Sequence, residues 1–215
     1  ERVMPSPAVA AQFSFSSLGS LDYVPGGPQT VERKMVWVTR NGVEQPVAAP
    51  VRSYESPRLS PDGQHVAVNA DGQIWLYDLS RESLTRFTFE GNTNNRPVWT
   101  PDGKRIAFYS DKEGQLNIFW QMADGSGRRE RLTTSEYIHA PLSWSPDGQF
   151  LAFQEANAMT GNDIWVLRIS DRKLQSFLRT PSNEDGPLFS PDGHWLAYHS
   201  NESGRDDVYV QPFPG

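Results

Sequence analysis

The chain contains no cysteine. Disulfides, thiolate metal sites and a cysteine nucleophile are therefore excluded. The compartment stays open, because an exported protein need not carry disulfides. Basic charge is also short, with 20 Lys+Arg against 26 Asp+Glu and a net charge of −6. A nucleic-acid groove needs a basic stripe, so no nucleic-acid partner is expected. Arg128, Arg129 and Arg131 cluster, but Glu130 interrupts them and the group reads as a solvated turn. No apolar run approaches the roughly 18 residues of a membrane span, so no membrane insertion is expected. The opening Glu1-Arg2-Val3-Met4-Pro5 does not read as a signal peptide. It also lacks an initiator Met, which leaves a mature product and a piece of a longer protein both open.

Turn formers are abundant: 17 Gly and 17 Pro, with 12% aromatics. Many short strands explain that mix better than long helices. The turns repeat. Ser60-Pro61-Asp62-Gly63, Thr100-Pro101-Asp102-Gly103, Ser145-Pro146-Asp147-Gly148 and Ser190-Pro191-Asp192-Gly193 lie 40, 45 and 45 residues apart. An eroded copy, Ser16-Ser17-Leu18-Gly19, lies 44 residues before Ser60. Pro presets φ for the second position of a type I turn, Ser or Thr suits the first, and Gly the fourth. A type I turn followed by a left-handed Gly joins two antiparallel strands. The turn aspartates therefore read as structural.

The flanks agree. After each turn comes a large-Ala-large strand: Val66-Ala67-Val68, Ile106-Ala107-Phe108, Leu151-Ala152-Phe153 and Leu196-Ala197-Tyr198. An aromatic strand follows in each module, as in Ile74-Trp75-Leu76-Tyr77 and Ile164-Trp165-Val166-Leu167. Most modules then show a fourth strand. Four strands in about 45 residues make a propeller blade. The seven tryptophans fall on or beside these strands and read as core between blades.

The fold class expected is thus all-β, a β-propeller of four-stranded antiparallel blades, about five in a single domain over residues 1–215. The modules run about 13–48, 57–89, 97–133, 141–179 and 187–213. The last lacks its fourth strand. Residues 1–4 are expected to pair with it and close the ring as a monomer. The rival is a fragment of a larger propeller whose open blade edges pair in a homodimer.

The pattern of Pro, a hydrophobic pair, Ser-Pro-Asp-Gly and a large-Ala-large strand resembles the TolB-like propeller family. It is carried by Pro57-Arg58-Leu59, Pro97-Val98-Trp99 and Pro187-Leu188-Phe189, with one extra residue in Pro141-Leu142-Ser143-Trp144. A closer likeness joins Gln12-Phe13-Ser14-Phe15-Ser16, Tyr23-Val24-Pro25-Gly26-Gly27, Trp37-Val38-Thr39-Arg40-Asn41-Gly42 and the run from Trp99 to Phe108. These look like the propeller that follows membrane-anchored bacterial serine/threonine kinases. That resemblance implies a sensor or scaffold in an extracytoplasmic place. No kinase motif is present. Propellers of this superfamily also gate serine peptidases, but no Gly-x-Ser-x-Gly elbow occurs.

Function is expected on the face carrying the loops into each inner strand, opposite the Pro-Asp-Gly turns. The candidates are Glu55, Arg58, Asn94, Asn95, Arg96, His139, Glu184 and Asp185, all read as lying on entry loops that point at the central channel. One reading is a non-catalytic binding or scaffold module for a protein, peptide or small polar ligand. The other is a glycosidase. It needs two carboxyl groups across a pocket, for which Glu55, Glu184 and Asp185 are the candidates. His139 lies nearby, and Tyr54 or Tyr137 would stack on a sugar. No cofactor is expected. Calcium stays an alternative at the oxygen-rich loop Asn201 to Asp207. The histidines, His65, His139, His194 and His199, show no metal spacing, and His194 and His199 are read as facing opposite sides of one strand.

Overall fold

The computed structural model describes residues 32–157 and 161–214, together with the backbone of the strands Phe13–Phe15 and Leu21–Tyr23. Five antiparallel sheets follow one another along the chain. Blade one holds β1 (Phe13–Phe15), β2 (Leu21–Tyr23), β3 (Val36–Val38) and β4 (Glu44–Pro46). Blade two holds β5 (Glu55–Leu59), β6 (His65–Ala70), β7 (Gln73–Asp78) and β8 (Ser83–Arg86). Blade three holds β9 (Asn94–Trp99), β10 (Arg105–Ser110), β11 (Asn117–Met122) and β12 (Glu130–Arg131). Blade four holds β13 (Ile138–Trp144), β14 (Phe150–Asn157), β15 (Gly161–Arg168) and β16 (Lys173–Leu178). Blade five has three strands, β17 (Glu184–Phe189), β18 (Trp195–Ser200) and β19 (Asp207–Pro212). The expected closing strand and the eroded turn copy lie outside the described residues.

Each Ser/Thr-Pro-Asp-Gly turn is wired alike. Ser145 Oγ donates to Asp147 Oδ1 (2.5 Å) and accepts from Phe150 N–H (2.9 Å), while Gln149 N–H donates to Asp147 Oδ1 (3.0 Å). Gly148 sits at φ 71°, where a side chain is strained. These turns also stack around the ring. A Cβ on Gly193 would meet Pro146 Cδ at 3.2 Å, and one on Gly148 would meet Pro101 Cδ at 3.8 Å.

The inner strands neighbour one another in the order β1, β5, β9, β13, β17 and so curve around the axis. The core lies between blades. Ala67 and Ile74 of blade two pack against Trp99, Ile106, Phe108 and Phe119 of blade three. Ala107, Ile118 and Trp120 of blade three meet Trp144, Leu151 and Phe153 of blade four. Ala152, Ile164 and Val166 of blade four meet Leu196 and Tyr198 of blade five. The alanine lets one sheet come close while the next supplies bulk. Trp120 stacks on Trp144 with centroids 6.2 Å apart, and Arg105 and Arg172 lie over its ring at 4.4 and 4.8 Å.

Candidate functional site

The candidates expected on entry loops stand on strands: Glu55 and Arg58 on β5, Asn94 to Arg96 on β9, His139 on β13, and Glu184 and Asp185 on β17. The reason is a bulge that the sequence conceals. The inner strands of blades two to five each carry one extra residue near the Pro, so Glu55 pairs with Asn69 but Arg58 with Ala67. The same shift falls between Asn95 and Val98, between Pro141 and Ser143, and between Asp185 and Leu188. Before the Pro, Ser56 (φ 51°), Arg96 (φ 51°) and Gly186 (φ 65°) are left-handed. Bulges re-aim side chains, and a non-Gly residue there carries strain.

The bulge sends Arg96 to the neighbouring blade. Its Nη1 donates to Gln154 Oε1 of blade four (2.9 Å), and its backbone N–H is held by Asn95 Oδ1 (2.6 Å). Arg96 also acts electrostatically on Arg58 of blade two, Tyr109 of blade three and Asp185 of blade five. Burial, and then the Arg96 charge, push Arg58 below its ordinary pKa. Arg58 Nη1 donates to the Pro57 carbonyl (2.9 Å). Among the described residues neither guanidinium makes an ion pair within 4.0 Å. Burial raises the Asp185 carboxyl, with Arg96 pulling it down less strongly. Burial likewise raises Tyr109. Glu55 is half-exposed, 3.6 Å from Arg33 Nη1 and 3.5 Å from Asn95 Nδ2.

The other three candidates turn into the seams between blades. Asn94 donates to Gln73 Oε1 (3.1 Å) and to the Glu90 carbonyl (3.1 Å). His139 Nε2 lies 2.8 Å from Glu155 Oε2, with both side chains buried. Burial lowers the His139 pKa, against the opposing pull of Glu155. Glu184 has no solvent access and receives the Thr180 hydroxyl at Oε1. Burial raises its pKa, and the nearby Asp163 and Glu202 charges add to this. Sequence reasoning missed Gln154 and Tyr109, which complete the channel group. They are the residues paired in register with the inner-strand starts on the second strand.

Several chemical expectations meet different surroundings. Tyr54 is fully buried, its hydroxyl donates to the Pro50 carbonyl (2.5 Å), and burial pushes its pKa up to about 12. It is core, not a sugar platform, whereas Tyr137 is exposed. Asp207 is held by Ser203 (2.7 Å) and Arg205 (3.1 Å) in the loop considered for calcium. Among the described residues no three His, Asp or Glu side chains gather to hold a metal. His194 precedes β18 beside Asp192 in the turn, so only His199 is on that strand. Among the described residues no helix is long and apolar enough to cross a membrane.

Repeated blades around a polar axis define a β-propeller with its polar group at the channel. Residues 30–160 match the TolB beta propeller domain, and the chain belongs to that family. It is 33% identical over 103 residues to the Tol-Pal system protein TolB of Anaeromyxobacter dehalogenans, covering 45% of this chain and 23% of that protein. It is 30% identical over 95 residues to the uncharacterized peptidase YuxL of Bacillus subtilis, covering 40% and 14%. The chain thus spans less than a quarter of these curated relatives. TolB from Acinetobacter baumannii superposes with a TM-score of 0.78 at 23% identity, over 94% of this chain and 51% of that one. A putative TolB from Agrobacterium tumefaciens gives 0.71 at 24%, over 85% and 63%. At such identities the solved structures establish the fold.

Proposed function

We propose that this chain is a non-catalytic binding propeller that receives an acidic protein segment at its channel and anchors a carboxylate on Arg58 and Arg96. The observation that carries the reading is the pair of neighbouring guanidiniums without an acid partner within 4.0 Å among the described residues. Two partly buried like charges cost energy when left together. A carboxylate lying between them forms charge-assisted, bidentate hydrogen bonds and removes the repulsion. Asn95, Gln154 and the Tyr109 hydroxyl add polar contacts around it. The name of the Tol-Pal relative agrees with a protein partner and an extracytoplasmic place. The role as sensor beside a membrane-anchored kinase rests on the sequence likeness in the first blade and in the run from Trp99 to Phe108.

Glycosidic hydrolysis lacks a comparable support. Glu184 is sealed in a seam, Asp185 is buried, and Glu55 is engaged by Arg33 and Asn95. The test is a tryptophan-fluorescence titration with acetylated hexaglutamate and, as control, hexalysine. Saturable hexaglutamate binding that weakens roughly 10–100-fold in Arg58→Gln supports the reading, from the 1.5–3 kcal/mol of a hydrogen bond to a charged group. Equal affinity in wild type and variant, or equal affinity for both peptides, contradicts it.

A further inference from the structure

We infer that the segment received at the channel is a polypeptide N-terminus whose first residue is Asp or Glu, with its carboxylate on Arg58 and Arg96 and its α-ammonium on Asp185 and Glu55. This rests on the channel reading above and adds a cation site to it. The register defines one layer at the start of the inner strands. Glu55, Asn95, Ala140 and Asp185 hold the same position in blades two to five, opposite Asn69, Tyr109, Gln154 and His199. Two carboxylates therefore stand in the layer that also holds the bond from Arg96 to Gln154.

Both signs lie close together. Asn95 Oδ1 holds the Arg96 N–H at 2.6 Å, and Asn95 Nδ2 lies 3.5 Å from Glu55 Oε2. Arg96 acts electrostatically on Asp185, and Arg96 and Glu55 both act on Tyr109. A ligand group on the guanidiniums is thus a short reach from the carboxylates. Neither carboxylate has a close cation. Asp185 is 6% exposed, its Oδ1 accepts the N–H of Gly186 (2.6 Å), and among the described residues it makes no ion pair within 4.0 Å. Glu55 has Arg33 Nη1 at 3.6 Å, too long for a hydrogen bond, and that nitrogen donates to the Tyr54 carbonyl at 2.8 Å. A buried carboxylate without a bonded cation is costly. A bare anion on the arginines would add repulsion from Asp185 and Glu55. An ammonium removes it, and brings three donors on one small charge to Asp185, Glu55 and the Tyr109 hydroxyl. An acidic first residue carries both charges on one short skeleton.

The experiment is a tryptophan-fluorescence titration at about pH 6.5, where an α-amine of ordinary pKa is charged. The probes are hexaglutamate with a free amine, its acetylated form, and hexaglutamate with an aminohexanoyl cap, which carries the same ammonium on a long spacer. The free form is expected to bind roughly 10–100-fold tighter than the other two. Asp185→Asn should abolish that preference, and Glu55→Gln should reduce it. Asp185→Asn is expected to fold, because Asn95 already holds this position in blade three and accepts the next N–H in the same way. Equal affinity for the three peptides, with the dependence on Arg58 retained, would overturn this inference and leave the channel reading standing. So would an equal gain for all three peptides in Asp185→Asn, which would make Asp185 an internal competitor for Arg96. Binding indifferent to Arg58→Gln would overturn both.

Discussion

The indole N–H of Trp99 donates to the backbone carbonyl of Arg58 across 3.0 Å, tying blade three to the strand that presents an unpaired guanidinium. The same tryptophan packs on Ala67 in the seam. Trp99→Phe keeps most of the packing and removes the donor. A loss of about 1–3 kcal/mol is expected in urea unfolding with an unchanged m-value. Weaker hexaglutamate binding should accompany it, because the Arg58 backbone is released.

Arg96 is a site of strain. Gly186 holds the equivalent bulge position in blade five with the same left-handed backbone. Arg96→Gly should therefore leave stability equal or raise it by about 1 kcal/mol, although the bond to Gln154 is lost. Peptide binding should fall at the same time. A large loss of stability in thermal melts would show that the arginine is structural.

The turn is a unit. Ser145→Ala removes both the acceptor for Phe150 N–H and the donor to Asp147, and should cost about 1–2 kcal/mol. The double variant Ser145→Ala, Asp147→Ala should cost little more, because the two side chains act together. A double-mutant cycle by chemical denaturation measures this.

Stability should peak at mildly acidic pH. Glu184 and Asp185 are raised chiefly by burial, so in the folded protein they hold protons that the unfolded chain has released. Their penalty develops as pH rises through those elevated folded pKa values and is absent below the unfolded ones. The turn carboxyls behave oppositely. Hydrogen bonds from Ser60, Thr100, Ser145 and Ser190 depress Asp62, Asp102, Asp147 and Asp192. Their contribution is present above the unfolded pKa and is lost as pH falls through the depressed folded values. Glu184→Gln, whose amide oxygen still accepts from Thr180, should raise Tm at neutral pH and flatten only the upper limb of the Tm–pH curve.

The blades were legible in the sequence because the turn tetrapeptide fixes its own geometry locally. Pro, Asp and Gly each serve one position of it, and the alanine strand follows at a constant offset. The entry residues were less legible. The bulge at Ser56, Arg96 and Gly186 breaks the alternation that marks a strand, so the strand starts read as loops. Tyr54 looked available because Glu55 and Ser56 beside it are polar, yet only the neighbouring blade decides that its ring is buried. Asn94, His139 and Glu184 share one position in three blades and face the seams. Their roles depend on Gln73, Glu155 and Thr180, which lie 21, 16 and 4 residues away. The pairing of Arg96 with Gln154 spans 58 residues and two blades, a distance no local pattern carries.

The arginine pair itself is open to direct observation through the side-chain Nε–Hε signals in a ¹⁵N-correlated NMR spectrum. On titration with acetylated hexaglutamate, the account predicts that the Arg58 and Arg96 signals shift together and saturate. Shifts confined to the exposed arginines Arg128 and Arg205, with Arg58 and Arg96 unmoved, would contradict it.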